Sequence, residues 1–179
     1  MITKFILPVA LISFFSFTAI AQDVVKCSSG KSFWVFPKDN KNYTVTLEEK
    51  GLITNSNKVL LNDTPLKYEI IELDVKNFSE DSAMNLLINH FSTMAANNRE
   101  PGTTLESTFK KDHNGKPVLI VTGDTNHSKV HVCTVIDNKI LSLSAQVQKL
   151  DNVIAITPSL ENIIISATII DKKENLCSK

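Results

Sequence analysis

The side chains with the richest chemistry in this chain are four histidines, His90, His113, His127 and His131, and three cysteines, Cys27, Cys133 and Cys177. Imidazoles and thiolates are the usual ligands of zinc, and a thiolate beside a histidine is the arrangement of a thiol nucleophile. His127 and His131 stand four residues apart, which aligns ligands on a helix, but the flanking sequence runs from a polar loop into an alternating strand. No further set of ligands stands at metal-binding spacing. His131 and Cys133 share one face of that strand, where ring and thiol meet only awkwardly. The carboxylates Glu48, Glu49, Glu69, Glu72 and Asp74 are scattered over strands without a convergent pair. Neither G-x-S-x-G, G-x-G-x-x-G nor a P-loop occurs. The residues therefore predict no catalytic group, no metal and no cofactor, and so a protein that is not an enzyme.

What the cysteines do depends on the compartment, and the N-terminus addresses that. Lys4 precedes an apolar run from Phe5 to Ile20 that ends in Ala19-Ile20-Ala21, the small-x-small pattern read by signal peptidase. Residues 1–21 are expected to be a signal peptide, and residues 22–179 a single globular domain. A lipidated cysteine needs a small residue before it; Lys26 precedes Cys27, so no stable membrane anchor is expected after cleavage. The expected address is the periplasm of a bacterium, with secretion as the alternative. In such an oxidising compartment a cysteine pair is expected to form a disulfide.

Composition narrows the partners. Without residues 1–21 the chain carries 18 basic and 19 acidic residues, so no strong field points to nucleic acid or an anionic membrane. With 42% hydrophobic residues and no low-complexity tract, about 158 residues suffice for one core.

The elements that must hold these residues read as α+β. Ser32 to Phe36 is apolar on both alternating faces, a strand covered on each side that Pro37 is expected to stop. Its aromatic residues, Phe33, Trp34 and Phe36, are expected to be core. Tyr43 to Glu48 alternates, and Lys58 to Leu61 and Leu66 to Val75 are strands joined by a turn at residues 62–65. Ser79 reads as the cap of a long helix with an apolar stripe through Met84, Leu87, Ile88, Phe91, Met94 and Ala95. Leu105 to Lys111, Pro117 to Gly123, Lys129 to Ile136 and Ile140 to Leu150 follow as hairpin-linked strands, an antiparallel meander. A two-residue loop at Asp137-Asn138 sets Val130, Val132 and Thr134 opposite Ala145, Leu143 and Leu141, the better core face, with His131, Cys133 and Val135 on the other. Thr157-Pro158 predicts a short C-terminal helix, with Ile169-Ile170 open to either helix or strand. The expected fold is an antiparallel sheet packed by one long helix and a short one.

The last hairpin, the polar step at Asp151-Asn152 and the apolar closing stretch Ile163 to Ile169 resemble the DcrB-like and PsbP-like group of exported domains. That resemblance implies a curved antiparallel sheet packed by helices in non-enzymatic accessory proteins. It supplies no catalytic residues. The expected function is binding of another protein, as an immunity protein or an inhibitor that neutralises a toxin or a wall hydrolase. An envelope accessory or small-ligand-binding role is the alternative. The turns holding Asp112, His113, Asn114, Asp124, Asn126 and His127 are the expected contact loops. Cys27 lies near the start of the mature chain and Cys177 near its end; domain termini often meet, so these two are expected to pair. Cys133 is the alternative partner or a free thiol.

Overall fold

The computed structural model describes residues 23–55, 58–72, 80–97, 104–123, 128–148 and 150–178. The expected signal peptide, Ser79 and the turn holding Asp124, Asn126 and His127 lie outside the described residues. In chain order the elements are β1 (Asp23–Lys26), β2 (Ser32–Lys38), β3 (Lys41–Thr46), β4 (Leu52–Asn55), β5 (Lys58–Leu61), β6 (Thr64–Glu72), α1 (Glu80–Asn97), β7 (Glu106–Lys111), β8 (Pro117–Thr122), β9 (Lys129–Ile136), β10 (Lys139–Gln146), α2 (Leu150–Ile165) and β11 (Thr168–Asp171).

The α+β class holds, but the strands form two sheets where one was expected. β1-β2-β3-β11 make a four-stranded sheet, and β4-β5-β6-β10-β9-β8-β7 make a seven-stranded one. The separation follows from pairing: β11 returns from the end of the chain to β3, and so closes the small sheet apart from the large one. Tight turns set the registers. Asn62 and Asp63 take φ of 48° and 63° between the paired residues Leu61 and Thr64, a left-handed conformation that Asn and Asp tolerate well. Ile136 pairs with Lys139 around Asp137-Asn138, and the Val132–Leu143 and Thr134–Leu141 pairs follow as the sequence predicts.

Pro37 does not stop β2, which continues to Lys38 and pairs Pro37 with Asn42. It stands two residues past Val35, the partner of Asp23 in the last described pair with β1, where a missing N–H is tolerated. The larger correction concerns α2. It starts at Leu150, runs sixteen residues and carries Pro158 inside it, so the short helix starting at Pro158 is a long one. The stripe Val153, Ile156, Leu160, Ile163 and Ile164 is buried on both sides of Pro158, and that burial outweighs the lost backbone bond. Ile154, whose carbonyl Pro158 cannot satisfy, is 65% exposed.

One face of the large sheet buries Leu66, Val118, Ile120, Val130, Val132, Leu141, Leu143 and Ala145 against α2 and the small sheet. Trp34 and Phe36 from the small sheet meet Tyr68 of the large one, with ring centroids 5.6 and 4.3 Å away, so aromatic packing joins the two. Trp34 and Phe36 are core, as expected, whereas Phe33 is half-buried and outside the core. The opposite face is covered by α1, where Ala83 and Leu87 bury Leu119, Val121, Cys133, Val135 and Ile140. The helix stripe is rotated from the expected one: Ile88 is 41% exposed and Ala83 takes the buried place.

Cys27 and Cys177 form a disulfide, with Cα atoms 5.3 Å apart across 150 positions of sequence. Cys133 is free and buried. Closing so long a loop removes much unfolded-chain entropy, about 3 to 5 kcal/mol in the chain-entropy account. Urea unfolding with and without dithiothreitol should therefore show the reduced protein, or a Cys27→Ser/Cys177→Ser variant, less stable by that order; equal midpoints would contradict it.

Candidate functional site

The large sheet presents two unequal halves on its α1 face, and register places each residue. One row runs Leu119, Cys133, Ser142, Glu69 across β8, β9, β10 and β6; the next runs Val121, His131, Ser144, Lys67. Lys129 pairs with Gln146 in the row beyond. Residues directly opposite across antiparallel strands have Cβ atoms about 5 Å apart, so Ser144 sits between Lys67 and His131. Along each strand the face turns from apolar to polar in the same direction: Val135, Cys133, His131, Lys129 on β9 and Ile140, Ser142, Ser144, Gln146 on β10. α1 covers the apolar end. Among the described residues the polar end remains as a groove of about 580 Å³, lined by Lys67, Lys129, His131, Ser144 and Gln146 and walled by Met94, Leu105 and Pro65.

Part of its lining is shaped by backbone. Gly123, also in the lining, takes φ of 112°, and a Cβ there would sit 2.0 Å from the carbonyl oxygen of Thr104. Only glycine allows that approach. Gly123 donates its N–H to the Lys129 carbonyl at 3.0 Å, which continues the β8–β9 pairing into the groove.

Titratable groups under α1 are tuned by burial. Burial pushes the Cys133 thiol up to about 11, while its hydrogen bond to the Ser142 hydroxyl at 3.3 Å opposes that shift. A thiol so held is no nucleophile near neutral pH. Burial also lowers His90, against the charge of Glu69. Among the described residues no three His, Cys, Asp or Glu side chains gather around a common metal position.

The expected contact loops fare differently. Asp112, His113 and Asn114 sit together in the β7–β8 hairpin, but Asp112 is spent inside it: its Oδ1 accepts from the Asn114 N–H at 2.8 Å and the Lys116 N–H at 2.7 Å. His113 and Asn114 are exposed, and the Asn114 amide meets His113 Nε2 at 3.0 Å. The residue that sequence reasoning passed over is Lys116. Its Nζ donates to the carbonyls of Ala167 at 2.6 Å and Ile165 at 3.2 Å, capping the C-terminus of α2, where a cation is favoured. Lys110 adds an ion pair to Glu161 of α2 at 2.6 Å. Glu49 accepts from Ser159 at 2.9 Å and from Asn162 at 3.3 Å, and with Glu48 it lines a smaller notch of about 250 Å³ beside α2.

No protein-family model and no curated protein matches the chain. Among solved structures it is similar to the solution structure of cyanobacterial PsbP (CyanoP) from Synechocystis sp. PCC 6803, at 12% identity and a TM-score of 0.44, over 86% of this chain and 95% of that one. No described helix is long and apolar enough to cross a membrane.

Burial lowers Lys116 to about 8, with Asp112 opposing. Between pH 8 and the ordinary lysine value of 10.5 the unfolded chain thus holds a proton that the folded chain has released, and raising pH favours folding. The urea midpoint of the wild type relative to Lys116→Met should rise across that window. A constant difference would show that the Lys116 ammonium is not desolvated.

Proposed function

We propose that this chain is an exported, non-enzymatic binding protein whose ligand site is the groove on the α1 face of the large sheet. The observation that carries this reading is the groove itself. Its volume of about 580 Å³ falls in the range of small-molecule sites, and it combines apolar walls with a few convergent polar groups. Export is supported by the Ala19-Ile20-Ala21 pattern and by the Cys27–Cys177 disulfide, a bond that persists in oxidising compartments. A non-catalytic role is supported by the buried, hydrogen-bonded Cys133 and by carboxylates that act in structural hydrogen bonds, as Glu49 and Asp112 do.

A protein-neutralising role, as an immunity protein or an inhibitor, is the second reading. What favours it is the β7–β8 hairpin, a loop closed by Asp112 that holds His113 and Asn114 outward on a rigid base. The large exposed apolar residues among those described give that reading less support: Ile53, Ile88 and Ile154 lie on three separate elements.

Native mass spectrometry of the protein drawn from a cell-envelope extract separates the two. The first reading predicts a small-molecule adduct that Ser144→Trp, which fills the groove, removes. A stoichiometric protein partner lost in His113→Ala/Asn114→Ala, with no small adduct, would replace it by the second.

A further inference from the structure

β7 forms one edge of the large sheet, and among the described residues no strand pairs with its outer side. It runs through six residues in unbroken register against β8 and contains no proline, whereas the other edge strands, β1, β4 and β11, have four residues each. Glu106, Ser107 and Thr108 are exposed. The Asp112 N–H donates to the Lys116 carbonyl at 2.9 Å, which makes these two a hydrogen-bonded pair. Alternation along the strand then gives Glu106, Thr108 and Lys110 to β8 and turns the N–H and C=O groups of Ser107, Phe109 and Lys111 outward. An exposed edge with a row of such groups is a template for another strand.

The charges on β7 say which strand fits it. The sequence Glu-Ser-Thr-Phe-Lys-Lys is acidic at one end and basic at the other, so an antiparallel copy is its own electrostatic complement. With a two-fold axis at Thr108, Glu106 stands opposite Lys110 of the second copy, twice, and Ser107 stands opposite Phe109. The outward groups of Ser107 and Phe109 then meet as hydrogen-bonded pairs. An axis at Phe109 would set Glu106 against Asp112, and one at Ser107 would set it against Thr108, so charge selects the register. Lys110 already holds Glu161 at 2.6 Å, and its ammonium has three N–H groups with which to take Glu106 of the second copy as well. The opposite face adds an apolar part. Phe109 is half-buried and meets Phe91 of α1 edge-on, with centroids 6.0 Å apart. Around α1 the order runs from buried Leu87 through Phe91 to Ile88, so the 41% exposed Ile88 lies on the flank toward β7.

We propose that β7 is the interface of a two-fold homodimer, in which two large sheets join edge to edge about Thr108 and the flanks of the two α1 helices close over Phe109. Such an interface is isologous and stops at two copies, because β7 of each copy is used up in forming it.

The test is sedimentation of the purified protein from roughly 10 μM to 1 mM, where the weight-average mass should rise toward that of a dimer. Ser107→Pro removes an outward N–H that β8 does not use, a place where an edge strand tolerates proline, and should abolish the rise. Glu106→Lys should weaken association roughly tenfold, while Lys111→Gln, whose charge faces no partner charge, leaves it unchanged. Circular dichroism shows each variant folded. Register is read by cross-linking: Thr108→Cys brings two thiols together on the axis and should give a disulfide-linked dimer under mild oxidation, whereas Glu106→Cys, off the axis, should not. A monomer across the whole range would overturn the second copy as the occupant of this edge. A dimer that survives Ser107→Pro, or that Thr108→Cys links no better than Glu106→Cys, would place the contact elsewhere and overturn it too.

Discussion

A seven-stranded sheet has two faces to cover, and in this chain the covers are of unequal size. α2 and the four-stranded sheet cover one face completely, with Val118, Val130, Val132, Leu141 and Leu143 inaccessible to solvent. Among the described residues α1 covers the other, and a single helix about 10 Å across spans only part of a sheet whose strands stand nearly 5 Å apart. The remainder of that face is where the strands turn polar, and Lys67, Lys129, His131, Ser144 and Gln146 line the groove there. The groove follows from this mismatch of areas, and its floor is as rigid as the sheet beneath it.

The larger cover depends on ties at its ends. α2 is anchored at its C-terminus by Lys116, along its length by Lys110 to Glu161, and near its middle by Glu49 with Ser159 and Asn162. Ser166 donates to the Ile163 carbonyl and accepts the Thr46 N–H, so the turn after α2 is bonded to β3 before β11 pairs with it. Disulfide Cys27–Cys177 then fixes the chain leaving β11 to the turn after β1. Lys38 to Glu72 at 3.1 Å joins the two sheets at an exposed rim, where an ion pair contributes little. The β7–β8 loop thus belongs to this system of ties as much as to the surface, which is why its Asp112 is turned inward.

Much of this was legible. Periodicity located eight strands but missed β1 and β4 and left β11 open, the Asp137-Asn138 loop set the β9–β10 register, and the position of Cys27 and Cys177 near the two ends of the expected mature chain pointed to their pairing. What was not legible depended on tertiary packing. Pro37 and Pro158 are local stop signals, overridden where a strand ladder or a buried helix stripe continued past them. The helix stripe on α1 was readable in period but not in phase, because Ala83 and Ile88 are alike in a hydrophobic pattern and differ only in what lies under them. The groove left a trace that sequence reasoning did not use: on β9 and β10 the second face changes from Val135 and Ile140 to Lys129 and Gln146 at the same end. Lys67 could not be joined to them without the β6–β10 pairing, which links residues far apart in sequence. Lys116 gave no signal at all, since a lysine after a turn is ordinarily a solvated one.

The central claim is that the polar end of the α1 face is where this protein binds its ligand. Backbone amide NMR of the folded protein during titration with the small-molecule fraction of a cell-envelope extract tests it most directly. The account predicts saturable shifts confined to Lys67, Lys129, His131, Ser144, Gln146 and the neighbouring end of α1, with the β7–β8 hairpin unmoved. Shifts centred on His113 and Asn114, or spread over the exposed Ile53 and Ile154 without saturation, would contradict it.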